Sequence, residues 1–272
     1  MRGPALLFCP ADRPDRYAKA AAAADSVILD LEDAVAPAAK AGARESLAAT
    51  LLDPSRTIVR VNPVSTADFA LDLAALRATP YRTVMLAKTE EPDDIRALSG
   101  YEVIALCETA RGIEGAGRIA ETDGVIGMMW GAEDLVASLG GRSSRLGNGG
   151  YRDLARYSRE RVLIAAGSSG RAAIDSVHLD IADESGLRAE VEDAAAVGFA
   201  ATACIHPSQV AVIRAGYAPS DADIGWARRV IEAATSQAGV FRFEGRMVDE
   251  PVLRQARIIL GNALPHDDQG RP

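Results

Sequence analysis

The sequence predicts a (β/α)8 TIM barrel with a short C-terminal helical extension, and three observations predict it. Eight short apolar runs recur along the chain: Leu6–Cys9, Ser26–Leu29, Thr57–Arg60, Thr83–Leu86, Glu102–Cys107, Gly124–Trp130, Ala172–His178 and Ala200–Ile205. They read as continuous rather than alternating hydrophobic stretches, the pattern of strands buried on both faces. Ala-rich helical stretches separate them, and most end in a polar, often ionisable, residue. A parallel barrel gathers such strand ends onto one face, where barrel enzymes build their active sites.

Each element has a local cause. Pro14 suits a first helical turn, and Ala18 to Ala24 carry high helix propensity, so the first helix opens at Asp12-Arg-Pro-Asp. The second helix spans Pro37 to Leu52 and stops at Asp53-Pro54; the third spans Ala67 to Ala78 and stops at Thr79-Pro80. A short fourth follows from Pro92 to Leu98. Thr109 caps a fifth, running to Glu121. After the sixth strand, Gly140 to Gly150 is a Gly/Ser/Arg/Asn loop leading to the helix Tyr151 to Ala166. Asp183 to Gly186 leads into the helix Leu187 to Val197, and His206-Pro-Ser-Gln into Val210 to Ala215. Beyond the barrel lie a helix from Ser220 to Gln237, a turn or hairpin from Phe241 to Val248 and a last helix from Pro251 to Leu260, with the end fraying from Pro265. Residues 1–215 are thus expected to form the catalytic barrel and 216–272 the extension.

The 272 residues are 48% hydrophobic and 25% charged, enough for one barrel and a tail. A net charge of −8 and the absence of a Lys/Arg block exclude a general nucleic-acid binder, while local arginine clusters leave room for anionic small substrates. No apolar run is long enough to span a membrane and the start carries no leader pattern, which points to the cytoplasm. Cys9, Cys107 and Cys204, odd in number and without CxxC spacing, read as buried thiols of a reducing compartment.

The chemistry sits at the strand ends. Glu108 and Asp134 end or follow consecutive central strands, which lie about 4.8 Å apart in a sheet. They can share one hard cation, and two carboxylates that leave positions for water and substrate suit Mg2+. The competing reading makes Asp134 a helix N-cap. Arg60, in Val59-Arg60-Val61-Asn62, must be paired if desolvated. It can serve structure by pairing with Asp30 or Glu32, serve chemistry by aiming its fork at a developing enolate or carboxylate oxygen, or do both. Asp30 and Glu32 point to one side by strand alternation, so one can orient Arg60 while the other holds a metal-bound water; Asp33 reads as solvated. Lys88, one of three lysines, is the residue a Schiff-base mechanism would need, but the neighbouring acids favour ion pairing. His178 and His206 lack metal-ligand spacing. Arg13, Arg16 and Lys19 form a basic group at the start of the first helix, suited either to a phosphate or to solvent.

Six motifs stand in order between Leu7 and Gln209, within a likeness that runs from about Leu6 to Leu260: Leu-Phe-Cys-Pro-Ala-Asp-Arg-Pro-Asp-Arg-Tyr-Ala-Lys-Ala, Asp-Leu-Glu-Asp-Ala-Val, Val-Arg-Val-Asn, Leu-Cys-Glu-Thr-Ala-Arg-Gly, Trp-Gly-Ala-Glu-Asp-Leu and Cys-Ile-His-Pro-Ser-Gln. Together they resemble the citrate lyase beta-subunit-like CoA-ester lyases, relatives of malyl-CoA lyase in the HpcH/HpaI aldolase group. The resemblance implies a Mg2+-dependent barrel, a homotrimer or hexamer, that makes or breaks a carbon–carbon bond between acetyl-CoA and an oxo acid. It implies Glu108 and Asp134 as metal ligands, and Arg60, Glu108, Gly131 and Ala132 as substrate-binding. Arg13, Arg16 and Lys19 match the CoA-binding motif. Asp249, in Gly245-Arg-Met-Val-Asp, matches an aspartate that reaches a neighbouring subunit's site, and with Arg60, Asp30 and Glu32 completes the implied catalytic set. Thioester hydrolysis can follow condensation. The non-CoA aldolases of the group carry a His/Asp base near strand two, and this chain has no histidine there. Two alternatives stay open: a metal-dependent 2-oxo-acid aldolase that needs no CoA, and a subunit of a larger citrate lyase complex.

Overall fold

The computed structural model describes residues 2–237 and 239–263. Cα packing divides the chain into Met1–Arg214 and Ala215–Pro272. The fraying expected from Pro265 lies outside the described residues.

In the first unit, eight parallel strands close into a barrel in sequence order, β1 bonding to β8. They are β1 (Ala5–Pro10), β2 (Ser26–Asp30), β3 (Thr57–Val61), β4 (Thr83–Leu86), β5 (Glu102–Cys107), β6 (Val125–Trp130), β7 (Ala172–Asp175) and β8 (Ala201–Cys204). The connecting helices are α1 (Pro14–Ala23), α2 (Lys40–Ala49), α3 (Ala67–Arg77), α4 (Pro92–Arg96), α5 (Ala110–Ala120), α6 (Ala132–Ser138), α7 (Asp153–Ser168) and α8 (Glu184–Val197), with α9 (Pro207–Tyr217) crossing the unit boundary. Thr109 caps α5 as expected, its side chain accepting from the Gly112 N–H. Two readings are corrected. The seventh strand stops at Asp175 rather than His178, where the next backbone N–H, that of Ser176, donates 3.0 Å to the Asp175 carboxylate instead of to a neighbouring strand. And α6, unforeseen in the sequence, makes Gly131 the N-cap and puts Asp134 in the first turn, so Asp134 is not a capping residue.

Alternate strand residues fill the barrel: Leu6, Ile28, Ile58, Met85, Ile104, Leu106, Met129, Ile174, Ala201 and Ala203 form one buried cluster. Side chains along a strand repeat every two residues. Counting two further from the last inward residue of seven strands gives Phe8, Asp30, Arg60, Glu108, Gly131, Ser176 and Ile205. These are the residues the barrel points into its C-terminal mouth.

In the second unit, α10 (Asp221–Ala234), the antiparallel hairpin β9 (Phe241–Phe243) and β10 (Arg246–Val248), and α11 (Glu250–Ala263) pack around Ala227, Val230, Phe241, Val248 and Ala256. Among the described residues no helix is long and apolar enough to cross a membrane. Cys9, Cys107 and Cys204 are free and buried.

Candidate active site

All seven mouth residues line one cavity of ≈ 220 Å³, together with Ala132, Glu133, Asp134, Val177 and Leu179. A larger cleft, ≈ 630 Å³, lies at the opposite end of the strands against Tyr101, Val103 and Gly124 and holds none of the predicted site residues.

Arg60 is the fixed point of the site. β2 and β3 pair Asp30 directly with Arg60, and the carboxylate grips the guanidinium at both ends, 2.7 Å to Nε and 2.6 Å to Nη2. Its remaining terminal nitrogen, Nη1, lies 3.1 Å from Glu32, and the group stacks 4.9 Å from the Phe8 ring centre. Burial works against the charge of Arg60, but Asp30, then Glu32 and Glu108, outweigh it and hold the group above its ordinary pKa. Asp30 is itself held by the N–H groups of Glu32 (2.9 Å) and Ala34 (3.2 Å). Both roles read for Arg60 are therefore open to it at once: its Asp30 pairing fixes the fork that faces the cavity.

Lys88 binds the acids. Its ammonium contacts Glu32, Asp33 at 2.9 Å and Asp134 at 3.4 Å. Burial opposes its charge, but the bonds to Glu32 and Asp33 prevail and raise its pKa. An amine held protonated is no nucleophile, which speaks against a Schiff base. Asp33, expected to be solvated, is 61% exposed yet bonded to Lys88, which outweighs its partial burial and lowers its pKa. Glu32 is driven up by burial despite Arg60 and Lys88.

Glu108 differs from the other acids. It is 3% exposed, and its Oε1 accepts the Lys88 N–H at 3.0 Å. Lys88 offers that N–H from a left-handed backbone, φ 49°, which a non-glycine residue adopts at a cost and which clusters at functional sites. Burial first, then the charge of Asp134, pushes the Glu108 pKa up to about 8. A desolvated carboxyl beside a second carboxylate is a site that gains from a cation. Among the described residues no group of three or more His, Cys, Asp or Glu is arranged to hold a metal ion. A cation here would take two protein carboxylates and complete its shell with water and substrate oxygens, a donor set suited to a hard ion of the Mg2+ type.

Gly131 makes room for this acid: a Cβ there would stand 2.7 Å from Glu108 Oε2 and 2.9 Å from its Cβ. Gly131→Ala should therefore displace the carboxylate and raise the Mg2+ concentration needed for half-maximal activity by about tenfold or more. A Mg2+ titration of activity checks this.

The structure thus brings together Asp30, Glu32, Arg60, Glu108, Gly131, Ala132 and Asp134. It does not bring in the basic group. Arg13 is bonded to Asp15 at 2.9 Å, and Arg16 and Lys19 are exposed on α1. Asp249 belongs to the second unit, where Oδ1 accepts the Val252 N–H at 3.4 Å at the start of α11. His178 is buried against Glu190 at 2.9 Å, and His206 is exposed and bonded to Ser208. Sequence reasoning missed Phe8, Ser176, Val177, Leu179 and Ile205. The period-two count finds Phe8, Ser176 and Ile205; no comparable signal marks Leu179.

A closed parallel barrel with an acidic mouth built around a clamped arginine is the architecture of a barrel enzyme. The HpcH/HpaI aldolase/citrate lyase family profile matches residues 5–207. The chain is 58% identical to a citrate lyase subunit beta-like protein of Mycobacterium tuberculosis over 96% of both chains. It is 32% identical to a mitochondrial citramalyl-CoA lyase of Mus musculus, covering 94% of this chain and 84% of that one. Its fold matches the crystal structure of protein CitE from M. tuberculosis in complex with magnesium, acetoacetate and coenzyme A, with a TM-score of 0.94 and 58% identity, over 96% of this chain and 98% of that one. The chain belongs to the HpcH/HpaI aldolase/citrate lyase family and is an enzyme of the lyase class.

Proposed function

We propose that the protein is a Mg2+-dependent carbon–carbon lyase that cleaves, or forms, a 3-hydroxyacyl-CoA of the malyl-, citramalyl- or HMG-CoA type, giving acetyl-CoA and an oxo acid. The observation that carries this reading is that buried Glu108, whose proton the charge of Asp134 helps to hold, lines one cavity with Asp134 and the clamped Arg60. The relative crystallised with magnesium, acetoacetate and coenzyme A supports the substrate class.

Glu108 and Asp134 would hold the ion. Once bound, it supplies Lewis-acid polarisation of the acid fragment's oxygens. The protein's own residues do the rest. In the cleavage direction a base takes the hydroxyl proton, the carbon–carbon bond breaks, and its electron pair passes to the thioester as an enolate. Arg60, held charged and aimed by Asp30, stabilises that enolate oxygen. Protonation of the enolate carbon yields acetyl-CoA. Gly131 and Ala132 line the acid fragment, and Glu32 joins Arg60 to Lys88 and keeps both in place. Arg13, Arg16 and Lys19 receive the CoA phosphates. Asp249 is the acid/base, delivered by residues 216–272 of a neighbouring subunit in a cytoplasmic homotrimer or hexamer.

Stabilisation of the purified chain by acetyl-CoA in a thermal melt, together with CoA-ester cleavage by the chain alone, is the expected result. An active aldolase unaffected by acetyl-CoA would instead identify a CoA-independent enzyme. The neighbour's role is read by complementation: Asp249→Asn mixed with Glu108→Ala under subunit exchange should recover activity, since mixed oligomers contain some sites with both residues intact. No recovery despite demonstrated exchange would leave Asp249 as a cap of α11.

A further inference from the structure

Asn62 follows Arg60 by two residues, just past the end of β3, and is buried at 2% exposure without lining the cavity. Every hydrogen-bonding group of its amide is used. Nδ2 donates 2.9 Å to the Leu31 carbonyl and 2.6 Å to Asp72 Oδ2, and Oδ1 accepts from the Lys40 ammonium. Two acceptors on one side and a cation on the other permit only this orientation of the amide. The backbone N–H of Asn62 also donates to Asp72, 2.9 Å away. Asp72 is fully buried on α3 and fixed from behind by Arg44 at 2.7 Å.

The target of this arrangement is informative. Leu31 stands between Asp30 and Glu32, the two acids that grip Arg60. Its N–H already donates 3.0 Å to the Arg60 carbonyl, so the Asn62 bond to its C=O anchors the same peptide segment a second time to β3. We infer that Asn62 is a positioning residue for the Arg60 fork, acting through the Leu31 carbonyl, with Asp72, Arg44 and Lys40 fixing its amide. The two acids are thereby held against β3 from both sides of Leu31, and the guanidinium cannot swing with them. The inference rests on the enolate role of Arg60 given under Proposed function.

The test reads Arg60 directly as well as turnover. In the full-length protein, Asn62→Ala should speed solvent exchange of the Arg60 Nε–H, followed by NMR, by about tenfold or more, because the salt bridge opens more often. It should lower kcat by about tenfold to a hundredfold, with KM for the CoA thioester changed less than about twofold. In an Arg60→Lys background the same substitution should cost less than about threefold, since a residue acting only through the fork loses its effect when the fork is gone. Lys40→Met removes the partner of Oδ1 from a half-buried position, together with a 3.8 Å ion pair to Asp68, and should move both readouts the same way to a smaller extent; it keeps the test in hand if Asn62→Ala does not fold. Unchanged Nε–H exchange, or effects of Asn62→Ala and Arg60→Lys that simply multiply, would overturn the inference. If no CoA ester is turned over at all, the proposed function fails while Nε–H exchange still decides the role of Asn62.

Discussion

Glu108→Gln is expected to reduce Mg2+-dependent turnover by about a thousandfold or more, because several kcal/mol of transition-state stabilisation depend on a metal with few protein ligands. The same substitution should stabilise the metal-free protein at alkaline pH. The folded state keeps the Glu108 proton up to about pH 8, whereas the unfolded chain releases it near 4.5. Between those values the folded state binds the extra proton, so raising the pH draws the equilibrium toward unfolding. The contribution of this group is fully present below about 4.5 and lost as the pH passes 8. Melting curves across that range should show a fall in the wild type that Glu108→Gln removes. Added Mg2+ should stabilise the wild type more at pH 8 than at pH 6 and leave the variant unmoved. Equal Mg2+ stabilisation of both proteins would sink the metal assignment.

Arg60→Lys is expected to lower kcat by about a hundredfold to a thousandfold, the cost of losing a preorganised donor to a developing oxyanion. Charge is conserved, so the loss isolates geometry. A point ammonium cannot span both oxygens of Asp30, reach Glu32 and face the cavity together. The fold should survive, since Asp30 keeps a cation and two backbone donors. Circular dichroism and steady-state kinetics check the two parts separately. A near wild-type rate would make Arg60 a structural residue.

The fold was legible because burial on both faces imposes one signal on every barrel strand, and the apolar runs mark β1 through β8. The Arg60 pairing was legible for a related reason: a desolvated guanidinium needs an acid, and Asp30 lies at the same level of the adjacent strand. What escaped depends on non-local geometry. The left-handed backbone of Lys88, which turns its N–H to Glu108, follows from packing rather than from local propensity. The short α6 has only seven residues and no side-chain cap to mark its start, and its cap is a glycine that leaves space for Glu108. Phe8 was hidden inside an apolar run, and only the strand period separates its cavity-facing ring from its neighbours. The Asn62 amide draws on partners 10, 22 and 31 residues away, a convergence that no sequence window contains.

The central claim is tested most directly by incubating the purified wild-type chain with a panel of 3-hydroxyacyl-CoA esters and following acetyl-CoA release as Mg2+ is titrated. The account predicts that at least one ester releases acetyl-CoA and an oxo acid in equal amounts. That release should rise with Mg2+, stop on chelation and be absent in Glu108→Ala. Release that persists in chelator, or that Glu108→Ala retains with unchanged Mg2+ dependence, would contradict it.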